Sequence, residues 1–342
     1  MPRRRLSEQQ LKRVRAIQER RRQKHDIRAE EQIACAGDAT TLTGLVVVRH
    51  GANLAVERDT GQVIHCVSRQ HIGDPVCGDR VIWRSTGEGT GVVTAIEPRQ
   101  SLLSRPDATG RGRPLAANLT QLVVVCAPEP LPSGDLIDQY LVAAEHIGVH
   151  ALLLCNKSDL LGTATEAAVI GKLALYRHIG YPLLTLSARD REGLDALSEH
   201  LRDEISVLVG QSGVGKSSIT QAMLPDQEVQ IGQLSRATGL GRHTTSAANC
   251  YRLPDGGHLI DSPGVRSFRL PTLSTGELEL GFREFRPHLG QCRFANCRHE
   301  VEPDCAIRAA VDGGQIAPER LAVFHRLLKR EDRSAAPERH PS

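Results

Sequence analysis

The segment Gly210-Gln-Ser-Gly-Val-Gly-Lys-Ser217 constrains the fold more than any other stretch of the chain. It has the form Gly-x4-Gly-Lys-Ser. The near-continuous apolar run Ile205–Val209 precedes it, and a helix is expected over Lys216–Leu224. A buried strand, a glycine-rich turn and a helix in that order belong to an α/β domain with a mainly parallel sheet. Glycine lets the main chain turn tightly, and the following helix aims its first N–H groups and its dipole at the turn. Such a turn cradles phosphate. In this reading Gly210, Gln211, Ser212, Gly213, Val214, Gly215 and Ser218 line the cradle. Lys216 reaches the terminal phosphates and the Ser217 hydroxyl ligates Mg²⁺.

The preceding residues repeat the α/β texture. Leu122–Val125, Ala151–Leu154 and Pro182–Leu186 read as buried strands. Between and after them, Asp135–Ile147, Thr165–Tyr176 and Leu194–Leu201 have helical spacing of apolar positions. Asn156-Lys157-Ser158-Asp159 directly follows the second strand. The Asp159 carboxylate can accept from the ring N–H and the exocyclic amino group of guanine, whereas adenine offers no such donor pair. The Lys157 stem would pack on the base, and Asn156 would tie neighbouring loops together. One β-α unit later, the Ala188 N–H of Ser187-Ala188 can donate to guanine O6. GTP and GDP are therefore the expected ligands.

Two further segments complete the set. Asp261-Ser-Pro-Gly264 ends a strand at Leu259–Ile260. Asp261 would hold Mg²⁺ through water and the Gly264 N–H would meet the γ-phosphate. The stretch 226–248 lacks periodicity, and a loop of that length in an α/β domain is a functional one. It contains His243-Thr244-Thr245. One of the two threonines would bind Mg²⁺, with Thr245 preferred. Val265 stands where Ras-like GTPases carry a water-positioning glutamine, so His243 is the nearest polar candidate for that catalytic task. Ordinary GTPases run phosphate loop, switch threonine, Asp-x-x-Gly, Asn-Lys-x-Asp, Ser-Ala. Here the order is Asn156, Ser187, Gly210, Thr245, Asp261: complete, but rotated as in a circular permutant.

The flanking regions differ in texture. Residues 1–24 hold ten Lys/Arg against two Glu, and 1–40 is expected to be a basic, flexible arm. Over 41–105, short β-rich runs (Gly44–Val48, Gln62–Ser68, Asp79–Trp83, Gly91–Ile96) alternate with turn signals, which fits a five-stranded OB-type barrel. The Pro/Gly/Arg-rich 106–118 reads as a linker into the GTPase domain, placed at 106–275. The last part, 276–342, carries a helix expected near 317–330 and a polar tail. No apolar run reaches about 18 residues, so no transmembrane helix and no membrane partner is expected. The N-terminus lacks the apolar core of a secretory signal.

Nine cysteines, an odd number, argue against a disulfide framework. Cys35, Cys66, Cys77, Cys126, Cys155 and Cys250 read mostly as small buried apolar residues. The set Cys292-x4-Cys297-x-His299-x5-Cys305 differs: three thiols and an imidazole within 14 residues form a structural zinc set with no open position.

Taken together, Gly210–Ser218, the His243-Thr-Thr loop, Asp261-Ser-Pro-Gly-Val265 and the Cys/His spacing resemble the circularly permuted, ribosome small-subunit-dependent GTPases (the RsgA or YjeQ family). The resemblance spans nearly the whole chain. It implies an OB barrel, a permuted GTPase domain and a zinc module that is mainly α. It also implies a monomeric cytoplasmic factor in late maturation of the 30S subunit, contacting 16S rRNA, with GTP hydrolysis stimulated by that subunit. The basic arm, barrel and zinc module fit rRNA contact. Val265 leaves open an RNA-binding scaffold that binds GTP with little hydrolysis.

Overall fold

The structure is a computed structural model describing residues 41–69, 72–106, 112–162, 166–224, 226, 248–261 and 273–335. These residues divide between two compact units.

The first unit is a barrel of five strands: β1 (Thr41–His50), β2 (Asn53–Glu57), β3 (Val63–Ser68), β4 (Arg80–Gly87) and β5 (Thr90–Ile96). Neighbours run β1-β2-β3-β5-β4, and β4 returns to β1. Closure rests on β1. Its first half, Thr41–Leu45, pairs with β4, and its second half, Leu45–His50, pairs with β2. A register shift between Val46 and Val48 bends the strand between its two partners. Inward residues alternate along each strand and fill the interior with Val46, Leu54, Val56, Ile64, Val81 and Trp83. Trp83 keeps its polar end satisfied by donating Nε1–H to the Thr43 carbonyl at 3.2 Å. Below the barrel the fully buried Asp79 accepts from Arg99 at 2.7 and 2.8 Å and from the Val76 N–H at 2.7 Å.

The second unit begins with β6 (Leu102–Pro106) and the first four residues of β7 (Gly112–Ala117), which pair as a two-stranded sheet. The 106–118 stretch is therefore a strand hairpin in part, not a bare linker. Gly112 opens β7 and Pro114 lies within it, a position that a two-stranded sheet tolerates. The parallel sheet follows: β8 (Gln121–Cys126), α1 (Gly134–Ile147), β9 (His150–Cys155), α2 (Glu166–His178), β10 (Leu183–Thr185), α3 (Leu194–Leu201), β11 (Ile205–Gly210) and α4 (Lys216–Met223). β12 (Asn249–Arg252) then pairs antiparallel with β1 at Val48↔Asn249 within the first unit, and β13 (His258–Asp261) joins the parallel sheet. The order β10-β9-β8-β11-β13 is parallel throughout. Every residue of β8 is buried, as a strand covered on both faces must be.

The chain ends with α5 (Thr275–Leu280), a 3₁₀ turn over Arg283–His288, α6 (Ala306–Asp312) and α7 (Pro318–Ala335). A capping box starts α5: Ser274 Oγ accepts from the Glu277 N–H at 3.3 Å while Glu277 Oε2 accepts from the Ser274 N–H at 2.8 Å. On α7 the buried positions are 320, 323, 324, 327 and 328, a helical stripe whose first member is arginine. Cys66, Cys77, Cys126, Cys155 and Cys250 are buried, as expected, and Cys35 lies outside the described residues. Among the described residues no helix is long and apolar enough to cross a membrane.

Candidate nucleotide site and metal cluster

From β8 the chain winds to β9 and then β10 on one side. From β11 it winds to β13 on the other. The winding reverses between β8 and β11, and sheets of this kind bind ligands beyond the carboxyl ends of the strands at such a reversal. Gly210 ends β11 and Cys126 ends β8 at that point.

Two glycines of the loop are required by their surroundings. Gly210 has φ +141°, and a Cβ there would lie 2.2 Å from the Val125 carbonyl oxygen. Gly215 has φ +91°, and a Cβ there would lie 2.2 Å from Asn156 Nδ2. Lys216 Nζ donates to the carbonyls of Gly210 and Gln211, both at 2.7 Å, and so pulls the loop over itself. Val214 is buried and anchors the loop from below, while Ser212, Gly213, Ser217 and Ser218 are exposed.

Asn156 joins the loops. It is buried, its Nδ2 donates to the Val214 carbonyl at 2.9 Å, and its Oδ1 accepts from the Ala188 N–H at 3.1 Å. Its own N–H donates to the Cys126 carbonyl at 2.9 Å. One side-chain amide thereby holds the phosphate loop, the Asn156–Asp159 loop and the Ser187-Ala188 loop together. Next to it Lys157 sits in the left-handed region (φ 62°) and donates Nζ–H to the Glu129 carbonyl at 2.8 Å. Ser158 begins a 3₁₀ turn and donates its N–H to the Leu186 carbonyl at 3.1 Å. The buried Ser187 hydroxyl lies 2.9 Å from Asp159 Oδ1 and 3.0 Å from Asp190 Oδ2, its single proton serving one at a time. Arg189 Nη1 stands 3.9 Å from Asp159 Oδ2.

Asp261 is the last residue of β13. The register Val207↔Ile260 sets it alongside the end of β11, on the same sheet edge as Gly210. His243, Thr244, Thr245, Gly264 and Val265 lie outside the described residues. The sequence did not single out the Glu129 carbonyl, Asp190 or Tyr140. A main-chain oxygen leaves no sequence signal, and Tyr140 was only one apolar position of a helix.

The second cluster is separate within this unit. The ligand atoms of Cys292, Cys297, His299 and Cys305 all lie within 4.8 Å of one another. Cys292 Sγ is 3.9 Å from Cys305 Sγ and 3.6 Å from His299 Nδ1. A tetrahedral zinc with its usual bond lengths sets such pairs about 3.5–3.8 Å apart, so the donor set fits that ion. Burial disfavours the Cys305 thiolate, but the Arg308 N–H donating to its sulfur at 3.5 Å and the neighbouring His299 outweigh it and hold the thiol below its usual pKa. His299 Nε2 meets Glu279 Oε1 at 3.1 Å, which fixes Nδ1 as the nitrogen that faces the thiols. The ring of His299 packs against Phe285 and Phe324. Glu279, thirteen residues before the first cysteine, was not legible from the Cys/His spacing.

Phosphate loop, base loops and strand order together define a P-loop GTPase whose motifs run in permuted order. The profile of the RsgA GTPase family matches residues 96–271. The small ribosomal subunit biogenesis GTPase RsgA of Azotobacter vinelandii is 44% identical over 335 residues, covering 96% of this chain and 98% of that protein. The protein of that name from Pseudomonas aeruginosa is 43% identical over 331 residues, covering 96% and 98%. Among solved structures, YjeQ from Thermotoga maritima superposes with a TM-score of 0.71 at 30% identity, covering 85% of this chain and 99% of that one. YloQ, a circularly permuted GTPase, gives a TM-score of 0.71 at 25% identity, covering 88% and 98%. The chain belongs to the RsgA GTPase family, and it is a GTP hydrolase.

Proposed function

We propose that the chain binds GTP with Mg²⁺ in the cleft over β8 and β11 and hydrolyses it while bound to the small ribosomal subunit, during late 30S maturation. The observation that carries the reading is Asn156, whose amide brings phosphate and base loops into one cleft. The small-subunit partner rests on the names of relatives that align over nearly the whole chain.

In this reading Gly210–Ser218 wraps the phosphates, and Lys216 exchanges loop carbonyls for phosphate oxygens. Asp159, with one oxygen beside the Ser187 hydroxyl, accepts from guanine, and the Ala188 N–H donates to it. Ser217, Thr245 and Asp261 hold Mg²⁺, which when bound neutralises charge on the phosphates. Gly264 N–H meets the γ-phosphate and His243 orients the attacking water. Cys292, Cys297, His299 and Cys305 hold one structural Zn²⁺. The arm at 1–40, the barrel at 41–105 and the module at 276–342 contact 16S rRNA, the GTPase domain spans 106–275, and the protein works as a cytoplasmic monomer.

The test is turnover of GTP and ATP by the purified chain, with and without 30S subunits at fixed salt. GTP-selective turnover that rises sharply with 30S supports the reading. Turnover indifferent to 30S overturns the ribosomal part.

A further inference from the structure

Helix α1 lies between the phosphate loop and the C-terminal segment, and its two faces carry different work. The face turned to the C-terminal segment bears Asp135, Asp138, Gln139, Val142 and Glu145, spaced at helical turns. Every one of them meets that segment. Arg326 forks onto Asp135 at 2.6 and 3.1 Å, and Arg330 donates to Gln139 at 2.8 Å. Glu145 accepts from Arg283 at 2.5 Å and from Arg286 at 2.6 Å. Val142 lies so close to Gly281 that a Cβ there would stand 2.7 Å away. At the centre the buried Arg320 pairs with Asp138 of α1 and, at 2.5 Å, with Glu284. It also stacks on Phe282 at 4.4 Å. Burial alone would lower its pKa, but the two carboxylates outweigh that and hold it above the ordinary arginine value. Burial raises the pKa of Asp138, with Arg320 opposing.

The other face of α1 presents Leu136, Ile137 and Tyr140 to a cavity whose far wall is Gly210, Gln211 and Val214 of the phosphate loop. Tyr140 is 3% exposed, and its hydroxyl hydrogen-bonds the Gly210 backbone. Gly210 is a residue whose main chain the nucleotide site cannot let drift, because Lys216 and Val125 crowd it from two other sides.

We propose that α1 is the element through which the C-terminal segment bears on the phosphate loop, with Tyr140 as the positioning residue that holds Gly210. An α-helix gripped by arginines along one face moves as a rigid rod. A shift of the C-terminal segment therefore reaches Gly210 through the Tyr140 phenol. By reciprocity, nucleotide binding shifts the segment through the same contact. The proposal rests on the GTP-binding reading above.

The experiment uses the full-length, zinc-loaded chain and measures Kd for fluorescent GDP and for a non-hydrolysable GTP analogue, with GTP turnover alongside. Tyr140→Phe removes only the hydroxyl. It is expected to weaken both nucleotides about fivefold while kcat at saturating GTP holds, because the lost bond supports ground state and transition state alike. Arg326→Ala, at an exposed pair, is expected to weaken both by about two- to threefold in the parent chain. In the Tyr140→Phe background it adds nothing further, and Arg326→Lys recovers most of the parent affinity. Tyr140→Phe binding as tightly as the parent, or effects of the two changes that multiply independently, overturns the proposal. A parent chain that binds no guanine nucleotide overturns the GTP-binding reading and this one with it. Normal parent binding with an unaffected Tyr140→Phe overturns this one alone.

Discussion

The nucleotide cleft and the Cys₃His cluster are held together by opposite means. The cleft is built from main chain: carbonyls of Gly210, Gln211, Val214 and Glu129 accept the side-chain bonds, and its strictest positions are those where a side chain must be missing. The cluster is built from side chains: three thiols and an imidazole, backed by Glu279 and the Phe285 and Phe324 rings. A cleft of the first kind fails when atoms are added. A cluster of the second kind fails when atoms are removed. The contrast also separates what they rest on, since the cluster's four donors are suited to sharing one ion and the cleft rests on the sheet beneath it.

That contrast can be broken by experiment. The largest effect is expected from Cys297→Ser, which removes a buried ligand. Zinc content measured by mass spectrometry should fall from one per chain to near zero, and hydrogen exchange should rise over 275–335, while nucleotide affinity changes far less. Gly215→Ala comes next. Its methyl would displace Asn156 and strand two hydrogen-bond partners, the buried Val214 carbonyl and the half-buried Ala188 N–H, at a cost of roughly 3 kcal/mol or about 100-fold in nucleotide Kd by calorimetry. Retained affinity would mean that the loop does not depend on a bare position. Arg320→Met leaves Asp138 and Glu284 facing each other without their cation. Urea unfolding should show a loss of about 3 kcal/mol, much of it restored when both carboxylates are also replaced by apolar residues. Glu279→Gln keeps all four ligands and should lower zinc affinity about tenfold in chelator competition, with the fold intact. Ser212→Ala, at an exposed loop position, should alter stability by less than about 0.5 kcal/mol.

Much of this was legible in the sequence where local rules suffice. Ile205–Gly210 and its helix follow from an apolar run and a glycine-rich turn, and the Cys/His spacing marked out four residues that the fold brings within bonding range of one ion. The permuted order was legible because each motif is local and only their sequence is rotated. What escaped depends on residues distant in the chain. Arg320 falls on the helix expected near 317–330 without any local sign of burial, and pairs in the core with Asp138, 182 positions earlier. Glu279 offers no spacing cue. Strand β7 was hidden by its own Gly112 and Pro114, and α5 and α6, at six and seven residues, are too short to show a period.

Rotating the motifs also changes the order in which a ribosome making this chain delivers the parts. Strand β8 emerges early, and β9 can pair with it within about thirty residues. Its other partner, β11, arrives only after two further helices and a strand have been made: Ser206 bonds to Gln121 across 85 positions. Throughout that interval the nascent chain holds the Asn156–Asp159 loop with one edge of the buried, mainly apolar β8 unpaired. Such an edge invites pairing with other chains until its own partner is synthesised. Strand β11 then closes that edge and brings the Gly210–Ser218 loop beside the Asn156–Asp159 loop, so the two parts of the candidate cleft first meet when β11 pairs, before β13 completes the sheet.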